Sequence, residues 1–144
     1  MFPFEALKHV LGQGRSDWSA GTLDLPGGIH LVILNPTQSR LRVKSTLMEE
    51  ICHIALGHSP SRLENGDGAV WFRSCDRTIE DEAYRLGAAC LVPYQGLRML
   101  LDQQCTIPVI GQRFDVSTEL VEYRLKLSGL WKMYGRMAKQ NGAP

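Results

Sequence analysis

The amino-acid sequence predicts a single α+β domain, a small antiparallel sheet packed with several helices. Three observations carry that expectation. Strand-forming runs come first and helical periodicity dominates afterwards. A "PGG" turn sits between two of the strand-forming runs. Two later helical segments stop at glycine or proline, where helices end.

In chain order, residues 2–11 are expected to form a short helix. "WSAGTLDL" and "IHLVILN" flank the turn as antiparallel strands, and Pro36 ends the second. Thr46 to Leu56 has helical periodicity, with Gly57 a natural residue just past its end. "SPSRLENGDG" (59–68) reads as a polar loop, and "AVWFRSC" as a third strand. "TIEDEAYRLGAACLV" opens with Thr78 as cap and stops at Pro93. A helix around Leu97 to Gln103 follows, then one that starts at Val116-Ser117, runs to Leu127 and ends at Ser128-Gly129. The tail "KQNGAP" is expected to fray.

A chain of 144 residues with 44% hydrophobic and 22% charged content is that of one ordinary globular domain. Sixteen Lys and Arg against fifteen Asp and Glu leave +1, so bulk charge does not announce a nucleic-acid or membrane partner. "MFPFEALKHV" does not read as a secretion signal, and no run approaches the roughly 20 apolar residues that span a bilayer. Cys52, Cys75, Cys90 and Cys105 form no C-x-x-C pair. They read as reduced thiols, and the expected location is the cytoplasm.

Chemistry concentrates in "TLMEEICHIALGH" (46–58). Zinc peptidases place two histidines four apart on a helix with a glutamate between them, H-E-x-x-H. Here the frame reads Glu49-Glu50-Ile51-Cys52-His53. Residues i and i+4 share a helix face, so Glu49 and His53 could grip one ion. Glu50, about 100° around the helix, could serve as general base toward a water at that ion. A second reading is open: Thr46 to Glu49 fits a capping box, with Glu50 a first-turn acid and His53 its weak ion-pair partner. His58 lies five positions beyond His53, would point away on a continuous helix, and reads as a cation near a helix end. Cys52 reads as a small buried hydrophobe.

A site needs a third ligand, and the second helix offers Glu80, Asp81 and Glu82. Its expected apolar stripe is Ile79, Ala83, Leu86 and Cys90. Glu80 projects to one margin beside small Gly87, Glu82 to the other, and Asp81 away with Arg85. Gly87 and the alanines would let another helix approach. All three acids also suit a first turn on dipole grounds alone.

These segments together resemble a known family. "LVILNP", "STLMEEICHIALGH", "IEDEAYRLGAACLVP" and "FDVSTELVEYRL" are similar to the ImmA/IrrE metallopeptidases, over about residues 31–127. The resemblance implies a zincin-like fold. It places the metal ligands on Glu49, His53 and Glu80, favours Glu80 over Glu82, and makes Glu50 the base. It implies Zn2+, and the family's substrates are proteins, among them helix-turn-helix repressors controlling mobile-element or stress genes. Glu49 stands where the family has histidine, Tyr84 where it has asparagine, and Leu86 where it has phenylalanine. Two carboxylates and one imidazole would leave a divalent ion at zero net charge instead of +1, lowering its acidity and tilting preference toward Mn2+ or Fe2+.

The last segment, 110–137, also resembles part of a helix-turn-helix, with Ser117 as cap and Leu120, Val121 and Leu125 facing inward. From Gly111 to Gln140 six Lys or Arg face three acids, a weak surplus for DNA binding. Trp131, Met133, Tyr134 and Met137 recur at helical spacing, as core or partner-facing residues do. The leading expectation is a metal-dependent endopeptidase. The rival is an inactive relative that binds a repressor or DNA through these last helices.

Overall fold

A computed structural model describes residues 18–58, 63–65, 71–73 and 76–140. Strands β1 (Ala20–Leu25) and β2 (Ile29–Leu34) form an antiparallel hairpin. Their register pairs Ala20 with Leu34 and Leu25 with Ile29. The turn between them needs glycine, because Gly27 and Gly28 sit at φ +87° and +75°. The helix expected at 2–11 lies outside the described residues.

Asn35, 1% exposed, redirects the chain after β2. Its Nδ2 donates to Trp18 O (2.8 Å), and its Oδ1 accepts from Thr37 N (3.0 Å) and Thr37 Oγ1 (2.7 Å). Such a side-chain turn, followed by Pro36, aims the backbone into the first helix.

That helix, α1, spans Arg40–Ala55, with Ser39 Oγ accepting from Arg42 N at 3.3 Å as its cap. It therefore begins six residues before Thr46. Thr46 is interior and 3% exposed, and its Oγ1 has no hydrogen-bond partner among the described residues. The capping-box reading is thereby overturned.

Strands β3 (Leu63–Asn65) and β4 (Trp71–Arg73) pair with each other in a second two-stranded ladder. Two expectations are corrected here: part of the 59–68 loop is a strand, and Trp71–Arg73 does not extend the first sheet.

Five helices follow: α2 (Arg77–Leu91), α3 (Tyr94–Asp102), α4 (Ile107–Phe114), α5 (Thr118–Leu127) and α6 (Trp131–Gln140). Asp76 caps α2, its Oδ1 accepting from Thr78 N at 2.8 Å, so Thr78 is inside the helix. Helix α3 starts directly after Pro93 and ends before Gln103. Ser117 caps α5 as expected, its Oγ accepting from Leu120 N at 3.3 Å. The sequence reading had no counterpart to α4.

The core lies within these helices. Val92, Leu97, Leu101, Ile110, Val121 and Leu125 are its largest fully buried apolar side chains. Arg124, 9% exposed, donates from Nε to Val92 O at 3.1 Å and satisfies a carbonyl at the end of α2. Met137 of α6 is buried and Met133 and Tyr134 pack on the core, whereas Trp131 is exposed beneath Lys126 Nζ, 4.9 Å from its ring.

The hairpin and α1 attach to this core mainly through α2. The buried face of α2 is Ala83, Gly87 and Ala88, not the stripe through Leu86 and Cys90, which are exposed. A Cβ on Gly87 would lie 3.4 Å from Glu49 N and Met48 C. A small residue is what lets the α1 and α2 backbones approach. The start of α1 is tied down separately: Lys44 Nζ donates to Phe114 O and Asp115 O, both at 3.0 Å, and Arg40 pairs with the Asp115 carboxylate.

Candidate metal centre

The close contact of α1 with α2 sets the geometry of the site. Glu49 and His53 occupy successive turns of α1, on the side facing α2. Glu80 stands in the first turn of α2, where the helix dipole favours a carboxylate. Each of the three offers one ligand atom, and these atoms lie within 4.8 Å of one another. His53 Nε2 is 3.7 Å from Glu80 Oε2. Ligand bonds of about 2.1 Å at tetrahedral angles separate two donors by roughly 3.4 Å, so this pair needs little adjustment to share an ion. The donor set of one imidazole and two carboxylates is chemically suited to a divalent cation.

Glu50 is 8% exposed and faces the hairpin. Its Oε2 accepts a hydrogen bond of 2.6 Å from Thr22 Oγ1. Thr22 shares its strand face with Ala20, which is 5% exposed. The carboxylate beside the cluster is thus held by β1, not by His53.

An open cleft of about 560 Å³ fronts the cluster, lined by Glu49, Arg77, Thr78, Glu80, Asp81 and Tyr84. Burial pushes the Tyr84 phenol up, with Tyr123 and Glu49 adding to the effect, so it faces the cleft as a neutral hydroxyl. Its ring packs edge-on against Tyr123 at 5.0 Å.

Glu82 is not part of the Glu49–His53–Glu80 cluster. Its Oε2 lies 3.3 Å from His58 Nε2. His58 in turn does not point away: its Nδ1 is 3.1 Å from His53 Nδ1, and the rings meet edge to face at 5.2 Å. Helix termination explains the reversal. Gly57 adopts φ +69°, Gly57 N donates to Ile54 O, and His58 N donates to His53 O at 2.9 Å. This is a Schellman ending, which folds the second residue past the cap back over the helix's last turn. Cys52 is 3% exposed as expected, and burial pushes its thiol up.

Sequence alone gives no sign of Thr22, and it wrongly turns His58 away from His53. Nothing in a strand's alternation singles out one threonine. For His58 the signal was present, because a glycine at the first position past the cap brings the next residue back toward the helix.

A family model described as the IrrE N-terminal-like domain, of a peptidase family, matches residues 4–126. The chain belongs to the IrrE N-terminal-like domain family. The mostly helical chain with its small antiparallel sheet is the α+β, zincin-like domain of that family. The IrrE-like match begins well before residue 31, where the sequence resemblance started, and ends within α5, so α6 lies beyond it. Membership supports a metallopeptidase-like function with a metal cofactor and a protein substrate. No curated protein and no solved structure matches the chain. No helix among the described residues is long and apolar enough to cross a membrane.

Proposed function

We propose that this chain is a metal-dependent endopeptidase that cleaves a regulatory protein in the cytoplasm. The observation that carries the reading is the meeting of Glu49, His53 and Glu80 across α1 and α2, with the Glu50 carboxylate on the next position of the same helix.

In this reading Glu49, His53 and Glu80 hold the ion. A bound divalent cation supplies Lewis acidity toward the peptide carbonyl and an acidified water. Glu50 takes the water's proton on Oε1 while Oε2 stays on Thr22 Oγ1, and returns it to the leaving amine nitrogen. The 560 Å³ cleft admits an extended peptide segment beside the cluster. Zn2+ is the ion the family resemblance implies, and two carboxylates with one imidazole also suit Mn2+ or Fe2+. A helix-turn-helix repressor is the substrate class that the same resemblance suggests.

The test is metal content by mass spectrometry, beside cleavage of a candidate repressor. Near-stoichiometric metal in the wild type, lost in Glu80→Ala, supports the site. Glu50→Gln should retain metal and lose about 10²- to 10⁴-fold in cleavage rate, the usual contribution of a general base. No metal in the wild type, even after reconstitution, would overturn the reading.

One observation favours a second reading, binding without catalysis. Helices α4 and α5 are joined by the tight turn 115–117, where a Cβ on Gly111 would lie 3.0 Å from Val116 O. The exposed start of α5 carries Glu119, which suits a protein partner better than phosphate. Under this reading Glu50→Gln leaves function intact.

A further inference from the structure

Behind the Glu49–His53–Glu80 cluster a second line of side chains runs through His53. Nδ1 of His53 meets Nδ1 of His58 at 3.1 Å, and Nε2 of His58 meets Glu82 Oε2 at 3.3 Å. Both imidazoles are largely buried, with side chains 16% and 11% exposed, whereas Glu82 is 61% exposed.

Two neutral rings carry two N–H groups for three contacts, and the shorter two, His53–His58 at 3.1 Å and His58–Glu82 at 3.3 Å, rank ahead of His53–Glu80 at 3.7 Å. Each carries one N–H and one lone pair. The contact between the two Nδ1 atoms requires one donor. If His58 donated there, its Nε2 lone pair would face the Glu82 carboxylate, an acceptor only. On that ranking the His58 proton sits on Nε2, facing Glu82, and His58 accepts at Nδ1. In that arrangement His53 donates from Nδ1 and keeps its Nε2 lone pair on the side of Glu80, where a bound cation would accept it.

We propose that His58 and Glu82 are positioning residues that fix the tautomer and orientation of His53 for metal binding. The inference rests on reading the cluster as a metal site. Partners of this kind, which accept the second N–H of a ligating histidine, hold the ring in place and raise its basicity. The ending at Gly57 is what makes the device possible, because it sets His58 over His53 with no intervening loop.

The experiment measures Zn2+ and Mn2+ dissociation constants by chelator competition for the wild type, His58→Phe, His58→Asn and Glu82→Gln. Thermal unfolding of each metal-free protein runs in parallel. Phe keeps the ring and removes the acceptor; affinity should fall about 10- to 100-fold. The Oδ1 of Asn falls where Nδ1 stood, so His58→Asn should recover most of that loss. Glu82→Gln should weaken binding less, because an amide oxygen still accepts. Metal-free melting temperatures should not follow this order. In the wild type, ¹⁵N spectra should find His53 protonated on Nδ1.

Wild-type affinity in His58→Phe, or a loss in His58→Asn as large as in Phe, would overturn the role. So would a His53 protonated on Nε2 in the wild type, a result that does not depend on any variant folding. A wild type that takes no metal would overturn the underlying site and the inference with it.

Discussion

Thr22 Oγ1 donates to Glu50 Oε2 at 2.6 Å, joining the first strand to the carboxylate beside the Glu49–His53–Glu80 cluster. The bond fixes one oxygen of Glu50, and under the proposed function the other takes the proton. Thr22→Val keeps the shape and removes the donor. Hydrogen bonds to charged groups are worth about 1.5–3 kcal/mol, so cleavage should slow by about tenfold or more. Metal content should stay at the wild-type level, and metal analysis beside a rate assay separates the two.

Glu49→His restores two imidazoles on α1 and raises the charge of an occupied site by one. Zinc should gain on manganese by roughly tenfold in relative affinity, about 1.4 kcal/mol. The circular dichroism of the metal-free variant should match the wild type, since Glu49 lies in the helix interior. Equal selectivity in both proteins would remove Glu49 from the ligand set.

Thr46→Val separates the cap from the interior position directly. The buried Thr46 hydroxyl has no partner among the described residues, so its removal should stabilise the fold by about 1 kcal/mol. Melting should rise by roughly 2–4 °C. A capping threonine would instead lose about 1 kcal/mol on the same change.

Asp115→Asn tests the tie between α1 and the α4–α5 turn. The hydrogen bond from Arg40, opposed by some desolvation and aided by Lys44, holds the Asp115 carboxyl below the usual carboxylate range. A depressed carboxyl stabilises the fold above its unfolded-state value, and that contribution fades as pH falls through the lowered one. The variant should therefore melt below the wild type at about pH 7, and the difference should shrink as pH falls below the ordinary aspartate range. Asparagine tolerates the positive φ of this position, +55°, so backbone strain does not confuse the comparison.

The hairpin, the α5 cap at Ser117 and the inward Leu120, Val121 and Leu125 were legible because each rests on a local rule. The start of α1 was not. Its first turn, Arg40 to Lys44, is mostly polar, so apolar periodicity becomes visible only later. Helix α4 was hidden by its composition: Ile107, Val109 and Ile110 are β-branched, and Pro108 and Gly111 weaken helices. Tertiary packing and a proline placed in the first turn, where it costs no hydrogen bond, override that preference. For the site, helical spacing placed Glu49 with His53 and set Glu80 beside Gly87. Contacts made across the fold, such as Thr22 with Glu50, have no periodicity to betray them.

Gly87 has a thermodynamic consequence. With the α1 and α2 backbones in contact there, two candidate ligand atoms on one helix face a third on the other, 27 residues from His53 in sequence. An ion bound by all three recognises only the docked pair, so occupancy and docking are linked equilibria. At free metal a hundredfold above the dissociation constant, that linkage adds about 2.7 kcal/mol to folding. A bulky side chain at 87 would separate the helices and forfeit the linkage without touching a ligand. While Gly87 keeps the helices together, metal supply would set how much of the chain is folded as well as how much is active.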